Sequence, residues 1–253
     1  MFNPRFKESE SDSLQNPWLT FAALHTYTFW KSEIVCSIIP GARSEEIQRT
    51  LAYENGFSEG WGISQLSEIA RSFNSTLKEA WLAKDLFAVV DDPLERILKL
   101  PGALAEDRDG CSTTLLRETG KYWGDYSLLE LVQAISRDDN LAVQSHWWCS
   151  QELCLLMRTS HYSRIFKAND LDGIKWWLGE RGIQLHAEAN SSEKSGSGRT
   201  PHIDHSAEAR EPLRDVWKEL NSKENWRKFA DGELIELVQD TYREDYNIFN
   251  RDP

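Results

Sequence analysis

The sequence predicts a mainly α-helical fold, a multi-helix, bundle-like domain with a linker-tethered C-terminal helical segment. Three observations carry that expectation. Apolar residues recur at i, i+3, i+4 and i+7 in several stretches, as in Leu66, Ile69, Ala70 and Phe73. Capping signatures stand where such stretches begin. Apart from "GIQLHAEA", no alternation of apolar and polar residues persists beyond a few positions.

The elements follow in order. Residues 1–15 are polar and charge-rich and read as a flexible N-terminal arm. The main domain is expected over 16–185. It opens with Asn16 as N-cap and Pro17 at the first helical position, starting a long helix that runs toward Ile39. The β-branched run at its end leaves an extended conformation open. "SEEIQRTLAY" is a short helix closed by Asn55-Gly56. "STLKEAWLAKDLFAVV" continues in helical style until Asp91-Asp92-Pro93 breaks it ahead of "LERILKL".

In "SLLELVQAI", Ser127 and Glu130 form a capping box before an apolar face of Leu128, Leu131, Val132 and Ile135. Leu141 to Lys167 contains neither Pro nor Gly and permits one long helix or two abutting ones. "DLDGIKWWLGERG" is a short helix stopped at Gly182. The Ser/Gly-rich composition of 186–207 predicts a flexible linker. Over 208–253, Leu213, Val216, Trp217 and Leu220 make one amphipathic stripe, and Leu234, Leu237, Val238 and Tyr242 make another.

Composition bounds the function. The 253 residues hold 41 acidic against 29 basic side chains, a formal net charge of -12 that opposes a nonspecific grip on phosphates. Four cysteines without a CxxC pair read as reduced thiols. With no apolar signal core near the N-terminus and no uninterrupted apolar span, the expectation is a cytoplasmic protein without a membrane partner. No phosphate-binding, Gly-x-Ser-x-Gly or zinc-protease motif is present, and no cofactor is expected.

The stretch "YENGFSEGWGISQL", residues 53–66, resembles the catalytic corner of lysozyme-like glycan-cleaving enzymes. There a catalytic Glu precedes a Gly-rich turn and a Gly-apolar-x-Gln element. The resemblance implies that Glu54 is an acid, raised in pKa by Tyr53, Phe57 and Trp61. The interval from Glu54 to Gln65 is shorter than that family's pattern, and no downstream Tyr-Asn-Ala-Gly-like element follows. The same residues also spell a helix–turn–helix corner, with Asn55-Gly56 ending one helix and Ser58 capping the next.

Other candidate sites are local. His202, Asp204 and His205 lie within four positions and have the chemistry of metal ligands, though they sit in the linker. Cys149 and Cys154 with His146 read as structural thiols beside a nearby histidine. Arg158, His161, Arg164 and Lys167 recur every three residues beside Tyr162 and Phe166. On a helix they form a drifting basic-aromatic stripe suited to nucleic acid or an acidic surface.

The economical reading is a non-enzymatic accessory subunit, regulator or immunity-type binder. It would dock on another protein through Trp-rich surfaces and through Trp217, Leu213, Leu220, Leu234 and Val238. A nucleic-acid accessory factor using the basic stripe and a Glu54 hydrolase are the alternatives.

Overall fold

The computed structural model describes residues 17–57, 63–186, 210–220 and 229–250. In chain order these form α1 (Pro17–Ala23), β1 (Thr26–Phe29), β2 (Ile34–Ile38), α2 (Ser44–Glu54), α3 (Ile63–Arg71), α4 (Leu77–Leu82), β3 (Asp85–Val90) and α5 (Pro93–Ala105). Then come α6 (Cys111–Thr119), α7 (Leu128–Arg137), α8 (Asp139–Ala142), β4 (Arg164–Lys167), α9 (Leu171–Gly179), α10 (Leu213–Leu220), α11 (Gly232–Thr241) and α12 (Arg243–Phe249).

The mainly α expectation is corrected by a four-stranded mixed sheet of order β1-β2-β3-β4. β1 pairs antiparallel with β2, whereas β2–β3 and β3–β4 are parallel, with Cys36 opposite Phe87 and Ala88 opposite Ile165. The physical reason is burial on both faces. Every residue of β2 is buried, as is all of β3 after Asp85, so neither strand shows the alternation that betrays a half-exposed strand. The long first helix is accordingly short, ending at Ala23 before a β-hairpin.

The described residues fall into two compact units. One comprises those within Met1–Asp91, Gln151–Lys194 and Ile248–Pro253, and the other those within Asp92–Ser150 and Ser195–Asn247. The expected arm 1–15 lies outside the described residues, as does all of the expected linker 186–207 except His186.

The first unit holds the sheet. Phe87 at its centre meets Phe29, Phe166 and Trp177 at ring-centroid distances of 6.1, 6.3 and 5.1 Å. Polar groups buried with it are satisfied. Thr26 Oγ1 donates to Ala22 O and shares a 3.0 Å hydrogen bond with Ser37 Oγ, which lies 2.7 Å from Tyr162 Oη. The Gln151 amide caps β3, accepting from Asp91 N–H and donating to Asp91 O, both at 2.9 Å.

The second unit is helical. Asp92 caps α5, with Pro93 in its first turn, and the Ser127–Glu130 capping box opens α7. Leu100, Leu104, Leu115, Leu131, Val132, Trp148, Leu213, Leu234 and Val238 share its core.

The expected helix across Leu141–Lys167 is also corrected. Only α8 is α-helical there, followed by two 3₁₀ turns and β4. Side chains divert its backbone acceptors from i→i+4 pairing. Arg96 donates to the carbonyls of His146 and Cys149, and Tyr242 Oη donates to Trp148 O at 2.6 Å. Trp148 in turn donates from its indole N–H to Leu141 O at 2.7 Å.

Candidate docking face

The N-terminal ends of the parallel strands carry most of the exposed aromatic surface of the first unit. The β1–β2 turn presents Trp30, 58 % exposed, whose ring stands edge-on to the buried Phe73 at 4.8 Å. Phe57 packs edge-on to Phe73 from another side at 5.6 Å. Asn55 fixes this corner. Its Oδ1 accepts from Trp30 N–H at 3.0 Å, and its Nδ2 donates to Thr28 O at 2.9 Å.

Beside the turn, Lys84 N–H donates to Glu33 O and brings in the end of α4. That helix starts with a Thr76–Glu79 capping box and stops at Ala83, whose ψ of 140° is extended. The early stop leaves Trp81 and Leu82 adjacent in the last turn, 66 % and 69 % exposed. Trp81 touches only one ring, that of His161 at 5.4 Å, among the aromatic contacts of the described residues.

Charge around this pair is arranged unevenly. Glu79 spends its carboxylate on Thr76, accepting from both its N–H and its hydroxyl. Asp85 receives Arg181 Nε at 2.8 Å, and that hydrogen bond holds the Asp85 carboxyl below the usual carboxylate range. Lys78 and Lys84, by contrast, are in no ion pair among the described residues. The nearby acids are thus engaged, Lys84 adding a through-space pull on Asp85, while Lys78 and Lys84 form no ion pair of their own among the described residues.

The opposite ends of the same strands are where open parallel sheets place ligands. Here the loop after β2 turns through Gly41 and Arg43, with φ of 84° and 57°. Arg43 is already spent, donating to Ala168 O at 2.9 Å and pairing with Glu46 at 2.8 Å. Glu45 and Glu46 occupy the first turn of α2, Asp91 is buried after β3, and Asp170 caps α9. Lys167 closes β4 at this edge, but the acids outnumber the cations there, and that excess opposes a bound phosphate.

The residues singled out in the sequence are placed as follows. Glu54 ends α2 at the corner, where Asn55 makes the organising hydrogen bonds, and Gln65 is exposed. Ser58 and Trp61 lie outside the described residues, as do His202, Asp204 and His205. Among the described residues no group of three or more His, Cys, Asp or Glu has the geometry to hold a metal ion.

All four cysteines are buried, and none forms a disulfide. Burial pushes the thiol of Cys111 up to about 12, with the Asp107 carboxylate adding to the effect. Leu213, Leu234 and Val238 are fully buried in the core of the second unit, and the side chains of Trp217 and Leu220 are outside the described set.

The basic stripe does not form as a helix face. Arg158 and His161 belong to a 3₁₀ turn, and Arg164 and Lys167 stand at the two ends of β4. Three apart on a strand, those two side chains leave from opposite faces of the sheet. What sequence reasoning missed is the exposed Trp81-Leu82 pair, because "STLKEAWLAKDLFAVV" reads as one continuous element. The signal available was the β-branched and aromatic "LFAVV" at its end.

No protein family, curated protein or solved structure matches the chain. No helix among the described residues is long and apolar enough to cross a membrane.

Proposed function

We propose that this chain is a protein-binding module, an accessory or regulatory subunit that docks a partner on the aromatic face of its sheet-bearing unit. The observation that carries the reading is the adjacent, two-thirds-exposed Trp81-Leu82 pair, collared by Lys78, Lys84 and His161. Covering a tryptophan of this exposure recovers about 3 kcal/mol at the usual 25 cal/mol per Å². Aromatic anchors of this kind dominate measured interface energies.

The acidic C-terminal edge of the strands supports the same reading, since it opposes the phosphate-bearing ligands that open parallel sheets usually take there. The C-terminal stripe contributes differently from the expectation. With Leu213, Leu234 and Val238 consumed in a core, the partner face moves to Trp81, Leu82 and Trp30.

The test compares the tagged wild-type chain with a Trp81→Ser/Leu82→Ser variant, both purified from the native host with and without nuclease. A stoichiometric protein partner held by the wild type and lost by the folded variant is expected. A partner retained equally by both overturns the assignment of this face. A complex that vanishes on nuclease treatment overturns the protein-binding reading in favour of nucleic acid.

A further inference from the structure

Resting on that reading, we infer that the partner segment is an extended, acidic stretch of another protein that adds to the sheet as a fifth strand along β4. Three observations converge on this edge. The sheet ends at β4, and no further strand pairs with it among the described residues. Ser163 N–H donates to Leu86 O, and β4 continues parallel to β3 from there. At its far end Val90 O accepts from Ala168 N–H, so in this register Phe166 faces β3. Alternation then turns the backbone N–H and C=O of Ile165 and the N–H of Lys167 outward, Lys167 O accepting from Asp170 N–H. Among the described residues no hydrogen bond from outside the sheet reaches the Ile165 groups or Lys167 N–H.

The second observation is charge. Arg164 and Lys167 make no ion pair among the described residues. Their cationic heads lie over aromatic rings instead, Arg164 at 5.8 Å from the Phe166 centroid and Lys167 at 4.7 Å from that of Phe249. An incoming strand with acidic residues at matching positions would satisfy both, one on each face.

A second copy of this chain fits poorly. Antiparallel pairing of two β4 strands puts Arg164 against Lys167, and parallel pairing puts each cation against its like.

The third observation is continuity with the aromatic face. His161 precedes Ser163 at the start of β4 and touches Trp81. A strand lying along Arg164–Lys167 therefore has one end at the Trp81-Leu82 anchor. Main-chain hydrogen bonds supply the pairing, the two cations select an acidic sequence, and the tryptophan takes an apolar residue at the strand's end.

The experiment uses the full-length protein and a synthetic peptide, acetyl-Trp-Val-Glu-Val-Thr-Glu-Val-Thr-amide, whose two acids are three apart like Arg164 and Lys167 and so fall one on each face. Hydrogen exchange is read residue by residue by NMR. At saturation the peptide is expected to protect the amides of Ile165 and Lys167 at least tenfold while leaving Phe166, already in the ladder, unchanged. The same peptide N-methylated at alternate amides keeps its side chains but loses its donors, and it should bind at least tenfold more weakly. Arg164→Gln with Lys167→Gln, both at half-exposed positions, should weaken the parent peptide about tenfold and flatten its salt dependence.

Equal binding of the methylated peptide, or absence of protection at Ile165 and Lys167, overturns strand addition. Those outcomes leave the Trp81-Leu82 face to be judged by the purification experiment alone. Loss of the native partner on Trp81→Ser/Leu82→Ser with no effect of Arg164→Gln/Lys167→Gln retains the docking face and rejects β4 as its extension.

Discussion

Replacing Arg96 by Met should be among the costliest single changes in the second unit. Arg96 is 4 % exposed and Asp245 1 %. One guanidinium nitrogen of Arg96 donates to Cys149 O at 2.6 Å and lies 4.0 Å from Asp245 Oδ2, and the other donates to His146 O. Ser150 Oγ donates to Asp245 Oδ1 at 2.5 Å. Methionine keeps much of the stem's apolar volume but withdraws two charge-assisted hydrogen bonds and the cation facing a buried carboxylate.

Leaving buried acceptors unpaired costs about 1–3 kcal/mol each. Breaking a buried pair by removing one member costs about 3–5 kcal/mol. The two figures describe overlapping losses, so about 4 kcal/mol is expected, or about 8–16 °C in Tm for a chain of this size. Urea unfolding followed by tryptophan fluorescence measures it, since Trp123 and Trp148 are buried in the same unit. Arg96→Lys should lose about half as much, because an ammonium cannot span both carbonyls with a rigid fork. Adding Asp245→Asn to Arg96→Met should recover part of the loss. A cost below about 1 kcal/mol for Arg96→Met would refute the claim that this side chain holds residues 146–149 out of a helix.

Three further outcomes are expected. Asp85 has its folded pKa lowered by Arg181, so its stabilising contribution exists above the ordinary carboxylate range and is lost as pH falls through the folded value. The stability gap between wild type and Asp85→Asn, measured in urea, should therefore be present at neutral pH and close in acid. A gap that widens in acid would reverse the sign. At the corner, Asn55→Ala should cost about 1–3 kcal/mol through its two backbone bonds, whereas Glu54→Gln should stay within about 0.5 kcal/mol. The opposite order in thermal melts would show that Glu54, not Asn55, organises the turn. Finally, Cys111 keeps its proton to about 12 in the folded state, so the unfolded chain gains by ionising first as pH rises past about 9. Native protein should react slowly with a thiol reagent at pH 8, and all four thiols should react on denaturation.

The sequence announced its elements wherever local chemistry alone determines them. Ser127 and Glu130 form the box that opens α7, and Asp92-Pro93 starts α5. It failed where tertiary surroundings decide. Ile34–Ile38 and Asp85–Val90 are strands because both faces are covered, and a run of buried residues carries no period to distinguish strand from helix. Residues 146–149 leave the helix because Arg96 and Tyr242, distant in sequence, take their carbonyls. The stripe of Leu213, Leu234 and Val238 was legible as amphipathic, but periodicity cannot say whether an apolar face is buried within the chain or against another.

The basic stripe shows how changing the secondary structure changes what the same residues can do. On a helix, Arg158, His161, Arg164 and Lys167 would form a band along a phosphate backbone. On the observed backbone, only Arg164 and Lys167 bracket a strand, one at each end and on opposite faces. Charged residues on short edge strands are the usual protection against edge-to-edge association, and these two penalise pairing with a second copy in either direction. The same repulsion is selective. An edge that rejects cationic and self-complementary strands still offers its outward N–H and C=O groups to a strand of opposite charge. Protection and recognition are then the work of the same two side chains. Neutralising both should loosen specificity in two ways at once, weakening the acidic peptide and raising the tendency of the purified chain to self-associate.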